Sequence, residues 1–247
     1  DAVVALDEAM GQALCRAGAS ADRVTIIDNW CDGAEVTPCP PRENRLLADL
    51  GWAESTDWMT VGYAGNLGRG HDFDTLHAAL PRLRGERVRF LFIGDGPQLP
   101  ALKALVQRES LGEQVRFLPP QTRSLLREVL GAGDVGLVTL SAGLAGLLVP
   151  SKVYGMMAAG RPILYVGPAT GRVAELVQGD ALGESVRNGD VDGLVSALRR
   201  LAGDPARRVA EGCRAREVFL ARYERHLATA RHDALLQKVA SCRGGRS

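Results

Sequence analysis

An alternation constrains this chain more than any single motif does. Between residues 59 and 166, five short β-rich runs (59–64, 88–93, 115–118, 135–140 and 163–166) take turns with helix-length segments at 72–83, 97–108, 122–130 and from Lys152 onward. Runs this short and this apolar read as strands buried on both faces, and the intervening segments are long enough to carry the chain back for a parallel partner. An α/β fold with a parallel sheet and right-handed crossovers is therefore predicted. Residues 181–186 read as one more strand, and the remainder as helices at 191–201, 205–223 and 224–239, with a frayed Gly/Arg/Ser-rich end at 241–247.

Upstream of the alternation, residues 2–6 form a short apolar run, 8–17 a helix that stops at Gly18, and 24–27 a second strand. Asp28 to Gly33 reads as a loop, Pro38, Pro40 and Pro41 as a linker, and 42–50 as a short helix. The 247 residues carry a net charge of +1 with 5% aromatics, which argues against nucleic acid as a partner. No apolar run reaches the ~20 residues of a membrane span. Five widely spaced cysteines without a C-x-x-C pair favour reduced thiols and a cytoplasmic location. The four histidines show no metal-ligand spacing. The chain starts at Asp1 without an initiator Met or signal peptide and is expected to belong to a longer polypeptide.

In an open parallel sheet, ligands bind beyond the carboxyl ends of the strands. Those ends are glycine-rich here: Gly65-Asn66-Leu67-Gly68-Arg69-Gly70, Gly94-Asp95-Gly96-Pro97, Pro119-Pro120-Gln121, and Ser141-Ala142-Gly143-Leu144-Ala145-Gly146. Each loop alone is ordinary turn chemistry. The segment after them is more pointed: Pro150-Ser151-Lys152 opens a helix with almost no polar side chain before Gly160. Lys152 stands at the end of the helix where the dipole favours anions, beside expected free backbone N–H groups. With Arg69 as a second cation, a diphosphate site is plausible there, with leaving-group stabilisation by Arg69 and Lys152 as the catalytic element. His71 adjoins this site, but with Asp72 as a helix N-cap its ring is expected to face solvent.

Five stretches in this order, Asn29-Trp30-Cys31-Asp32, Tyr63-Ala64-Gly65-Asn66-Leu67-Gly68-Arg69, Phe92-Ile93-Gly94-Asp95-Gly96-Pro97, Val115-Arg116-Phe117-Leu118-Pro119, and Pro150-Ser151-Lys152 with Ala159-Gly160-Arg161-Pro162, resemble the C-terminal, donor-binding half of a GT-B-fold glycosyltransferase of the retaining family 4 group. Within that group the chain is most similar to the branch making bacterial exopolysaccharides and surface glycans. The resemblance implies a Rossmann-like doubly wound sheet with a C-terminal helical tail. It divides the chain into 1–40, the end of an N-terminal acceptor domain with the interdomain linker; 41–204, the nucleotide-sugar-binding domain; and 205–247, the C-terminal helices and tail. Gly65, Asn66, Gly68 and Arg69 would face the diphosphate, with Asp95 in the neighbouring loop and Ser151 and Lys152 opposite. Pro119, Pro120 and Gln121 would flank the nucleobase, and Gly143, Leu144, Ala145, Gly146 and Leu147 would lie over the sugar.

The implied partners are a nucleoside-diphosphate sugar and a sugar or lipid-linked acceptor held by an N-terminal domain, with no cofactor and no metal. The resemblance leaves open a homodimer and peripheral association of the full enzyme with the inner face of the plasma membrane. Two glutamates that the family often carries fall on Leu147 and Gly155 in this sequence. That departure keeps a non-catalytic sugar-nucleotide-binding or docking domain as an alternative reading. An epimerase is a weaker one, since Asp95 alone is a poor acid/base candidate.

Overall fold

The structure, a computed structural model, describes residues 2–54 and 57–244. It opens with a small β-α-β unit. Strand β1 (Val3–Ala5) pairs in parallel with β2 (Val24–Ile26) through helix α1 (Glu8–Arg16). Asp7 caps that helix by accepting from the Met10 amide at 2.7 Å. Helix α2 (Arg45–Asp49) follows the proline-rich stretch and is capped by Asn44, whose Nδ2 also donates to the Glu128 carbonyl at 2.8 Å.

The main body comprises β3 (Met59–Ala64), α3 (Asp74–Ala79), β4 (Val88–Ile93), α4 (Leu99–Arg108), β5 (Val115–Leu118), α5 (Leu126–Leu130), β6 (Val135–Thr139), α6 (Lys152–Ala158), β7 (Ile163–Val166), α7 (Arg172–Gly179), β8 (Gly183–Val186) and α8 (Val191–Gly203). All six strands are parallel, in the order β5-β4-β3-β6-β7-β8. The order reverses between β3 and β6, the switch point of a doubly wound sheet, where the crossovers depart to opposite faces and open a crevice.

Alternation along the strands builds two cores. Phe90, Phe92, Leu137 and Leu164 face one way, toward Leu76 of α3, Leu102 of α4 and Leu198 of α8. Val138, Ile163 and Tyr165 face the other, toward Val153, Met156 and Met157 of α6 and Leu176 of α7. Leu91 and Ile93 share that second direction and cover Leu46, Leu47 and Trp52. Burial of both faces explains why apolar residues predominate at successive positions of the central strands instead of alternating with polar ones.

Helices α9 (Pro205–Arg222) and α10 (Arg225–Gly244) close the chain. Between them the chain meets the segment leaving the small β-α-β unit: the Cys31 amide donates to the Tyr223 carbonyl at 3.3 Å and the Gly33 amide to Glu224 Oε1 at 2.9 Å.

Three local expectations need correction. The helix predicted over 72–83 is α-helical only from Asp74 to Ala79, and Pro81 turns the rest into a 3-10 segment, because proline cannot donate to a preceding turn. The helix over 122–130 likewise begins as a 3-10 turn at Arg123–Leu125. At the end of the chain, α10 runs through Gly244 rather than fraying at 241; residues 245–247 lie outside the described residues.

Candidate functional site

Tyr63 organises the crevice at the switch point. Near the end of β3, its hydroxyl donates to the Asn66 carbonyl at 2.7 Å and so props the loop that follows. The ring itself is buried, and Lys152 Nζ lies 3.6 Å from its centroid, in cation–π contact. The Lys152 stem is partly exposed, but Nζ is fully shielded and has no hydrogen-bond partner among the described residues. Burial pushes its pKa down to about 7. An ammonium held without a counter-ion is a costly arrangement that an arriving anion relieves.

The backbone beside it is held by close loop contact. The Gly65 amide donates to the Ile93 carbonyl at 2.9 Å, and the Leu67 amide to the Asp95 carbonyl at 2.8 Å. Gly94 has φ +148, and a Cβ there would stand 2.0 Å from the Gly65 carbonyl oxygen. Gly96, at φ +150, would place one 2.5 Å from Asn66 Oδ1. The sequence Gly-Asp-Gly-Pro is thus dictated by loop-on-loop packing, with Asp95 Oδ1 accepting from the Gly96 amide at 2.7 Å.

Around these groups lies a cleft of about 850 Å³. Of the residues the sequence singles out, Gly65, Asn66, Asp95, Pro120, Gln121, Ser151 and Lys152 line it. Pro119 stands behind Gln121, whose amide donates to its carbonyl at 2.7 Å, and the Gly68 carbonyl accepts from Gln98 Nε2 at 2.6 Å. The 143–147 segment is not brought into the cleft. Gly143 faces open space, Leu144 packs against the core beneath α6, and Ala145 and Gly146 border a small recess beside Asp7. Leu147 is 61% exposed. Gly155 does line the cleft, without a side chain.

Two further expectations are revised. Arg69 and Lys152 do not share the cleft: exposed Arg69 borders an adjoining hollow of about 550 Å³ with Asp74, Gln98, Ser141 and Asn188. Fewer backbone N–H groups are free at the start of α6 than expected, because the amides of Val153 and Tyr154 close 3.2 Å bonds to the carbonyls of Pro150 and Ser151.

His71 is the residue that sequence reasoning misplaces. Asp72 does cap, accepting from the Thr75 amide at 3.1 Å, yet the His71 ring turns inward and lines both cleft and hollow. Its Nδ1 lies 2.7 Å from the Thr139 carbonyl oxygen. A carbonyl can only accept, so Nδ1 carries the proton and Nε2 is the free nitrogen. Burial, then the nearby Lys152 charge, holds the imidazole pKa below its ordinary value despite that bond. Asn29, Trp30 and Cys31 also reach the cleft from the loop after β2, as does Arg123, which pairs with Glu35 at 2.9 Å. For Asn29, Trp30 and Cys31 the Asn-Trp-Cys-Asp stretch is the signal in the sequence, but no local pattern links it to loops more than 30 residues away.

A family model described as "Glycosyl transferases group 1" matches residues 59–204. Among curated proteins, a probable glycosyltransferase, WbjE, of Pseudomonas aeruginosa is 32% identical over 163 residues, covering 65% of this chain and 39% of its own. A putative colanic acid biosynthesis glycosyl transferase, WcaI, of Escherichia coli (strain K12) is 26% identical over 204 residues, covering 81% and 49%. The chain thus spans about half or less of the length of these relatives. Among solved structures, Anabaena HepE in complex with UDP-glucose superposes with a TM-score of 0.79 at 20% identity, covering 97% of this chain and 64% of its own. Sucrose-phosphate synthase from Thermosynechococcus elongatus gives 0.81 at 22% identity, with 98% and 59% covered. At such identities the two structures speak for the fold.

Proposed function

Because the chain belongs to the glycosyl transferases group 1 family, we propose that it is the donor-binding part of a glycosyltransferase that passes a sugar, with retention, from a nucleoside-diphosphate sugar to an acceptor in bacterial surface-polysaccharide synthesis. The observation that carries this reading is the buried Lys152 ammonium on Tyr63, without a hydrogen-bond partner among the described residues and set at the switch point of the sheet. When the bond between the anomeric carbon and the β-phosphate oxygen breaks, negative charge builds on that oxygen. A fixed ammonium in a shielded cleft stabilises that charge more than water does, without reorganising. In this reading the protein cation takes the place of a metal, and Pro120, Gln121, Trp30 and Arg123 form the base end of the cleft. The exposed Arg69 adds a weaker, longer-range charge. The name of WcaI, a putative colanic acid biosynthesis glycosyl transferase, supports the polysaccharide setting. The free thiols of Cys15, Cys31, Cys39 and Cys213 support a reducing compartment.

One observation favours a second reading, sugar-nucleotide binding without transfer: Gly155 presents no side chain to the cleft floor at one of the positions where the family often has a glutamate. Calorimetry on the 247-residue chain with UDP, GDP and ADP, each against its nucleoside, tests binding. One diphosphate should bind at least tenfold more tightly than its nucleoside, with or without a chelator; equal affinities would remove the diphosphate site. Product formation from the matching sugar nucleotide by the full-length polypeptide then separates transfer from binding.

A further inference from the structure

We infer that His71 is the second phosphate-binding group of the cleft, and that it takes up a proton at Nε2 as the anion arrives; this rests on the donor-binding reading above. The geometry assigns the role to His71 rather than to Arg69. Tyr63 is bracketed by two basic groups: Lys152 Nζ over its face at 3.6 Å, and the His71 ring set perpendicular to it with centroids 6.0 Å apart. Both line the same cleft, whereas Arg69 borders the hollow on the far side of His71.

The Thr139 carbonyl, at the end of β6, locks the tautomer by accepting from Nδ1. A neutral imidazole so fixed presents only a lone pair at Nε2, and Nε2 makes no hydrogen bond among the described residues. Toward a phosphate oxygen a lone pair is repulsive, whereas an Nε2–H is a charge-assisted donor. The other charged groups nearby leave this change to the ligand. Lys152 from α6 opposes a second positive charge. Asp72, next in sequence, is engaged by Thr75 and Asn188. Asp95 faces the cleft from the loop after β4, with Arg123 toward its base end. Arg69 and Asp74 stand across the hollow. From the buried elements, Tyr63 on β3 contributes a neutral phenol whose pKa burial raises, and the half-buried Cys31 thiol is likewise raised. A diphosphate between Lys152 and His71 offsets their mutual repulsion and lets both be charged.

The two faces of imidazole can be separated by amide replacement. His71→Gln places an N–H donor near the Nε2 position, and His71→Asn keeps one near Nδ1 for Thr139. UDP and inorganic pyrophosphate are titrated calorimetrically into the 247-residue chain and both variants, in buffers of differing ionisation enthalpy between pH 6 and 9, with thermal melting as the folding control. For the unaltered chain we expect net proton uptake and affinity that falls as pH rises, by up to tenfold per pH unit for each proton taken up. His71→Gln should stay within about threefold of the unaltered chain at pH 8 while losing part of the uptake. His71→Asn should bind at least tenfold more weakly at pH 7 with an unchanged melting temperature. The reverse order, with Asn retaining both affinity and proton uptake, would reduce His71 to a structural tie to Thr139 and overturn the inference. Absence of binding by either probe to the unaltered chain would overturn the donor reading itself, and this inference with it.

Discussion

The two edges of the six-stranded sheet differ in how far their buried polar groups are satisfied. At the amino edge, Gln114 Nε2 donates to the carbonyls of Leu83, Glu86 and Val88 at 2.9–3.0 Å. Asp134 accepts from the Thr60 amide at 2.7 Å, and Arg89 lies over the Trp52 ring while donating to Thr60 Oγ1 at 2.8 Å. The buried Arg161, just beyond the end of α6, donates through Nη2 to the carbonyls of Cys39 and Gly131 at 2.6 and 2.9 Å, although its Nε lacks a partner among the described residues. At the carboxyl edge, Lys152 Nζ at the start of the same helix has no hydrogen-bond partner among the described residues, nor does Thr139 Oγ1. Satisfied buried groups stabilise the fold and specify it. Unsatisfied ones cost stability, and such violations of local rules collect where a protein binds something else.

The sharpest way to break this contrast is at Gly94, where a side chain would collide with the Gly65 carbonyl. Gly94→Ala should lower stability by about 2–4 kcal/mol in urea denaturation and abolish UDP binding. Gly112→Ala near the amino edge, where a Cβ meets nothing within 4 Å, should stay within about 0.5 kcal/mol.

Lys152→Met should weaken UDP binding by about 1.5–3 kcal/mol, with little change for uridine. The same substitution should raise the melting temperature of the unliganded chain, since an uncompensated buried charge is removed. The expected pH dependence of stability has a definite sign. The Lys152 pKa falls from its ordinary 10.5 to about 7 on folding, so between those values the unfolded chain binds more protons. Unliganded stability should therefore rise with pH from 7 toward 10.5, and Lys152→Met should flatten that rise. A melting temperature lowered by the substitution would show that Lys152 belongs with the structural cations.

Arg161→Leu is the complementary change. It strands two carbonyls and should lower stability by about 1–3 kcal/mol while leaving the UDP Kd of the folded protein unchanged. The smallest effect is expected from Arg69→Ala. An exposed side chain in the adjoining hollow should change UDP binding by no more than about 0.5 kcal/mol. A loss as large as that from Lys152 would return Arg69 to the diphosphate.

Most of the main body was legible in the sequence because its signals are local. Each strand from β3 to β7 is a short run in which apolar residues predominate, and Lys152 stands out against the apolar helix it opens. What escaped depends on distant partners. The inward turn of His71 is fixed by a carbonyl 68 residues away, and Arg123 gains its place through Glu35, 88 residues earlier. The shortening of α3 was written in Pro81, but apolar periodicity continues through that proline and masks the change to a tighter winding. Arg69, adjacent to a glycine loop, looked like a phosphate ligand because spacing fixes where a backbone goes and not which side of a loop a side chain takes.

The contact between Gly33 and Glu224 also orders events in time. Their bond joins residues 191 apart, and Arg216 reinforces it by donating to the carbonyls of Gly33 and Val36. During synthesis every strand of the six-stranded sheet is available before the second partner of this bond has been made. The small β-α-β unit can then nucleate through local pairing and meet α7 through the Asp28–Arg172 ion pair, but the crossing that ties it to the C-terminal helices must wait for α9 and the turn beyond it. Contacts of such long sequence separation form late, since closing the chain over them costs entropy before they are made. The refolding chain should accordingly acquire its central sheet before the Cys31–Glu224 crossing is protected from hydrogen exchange.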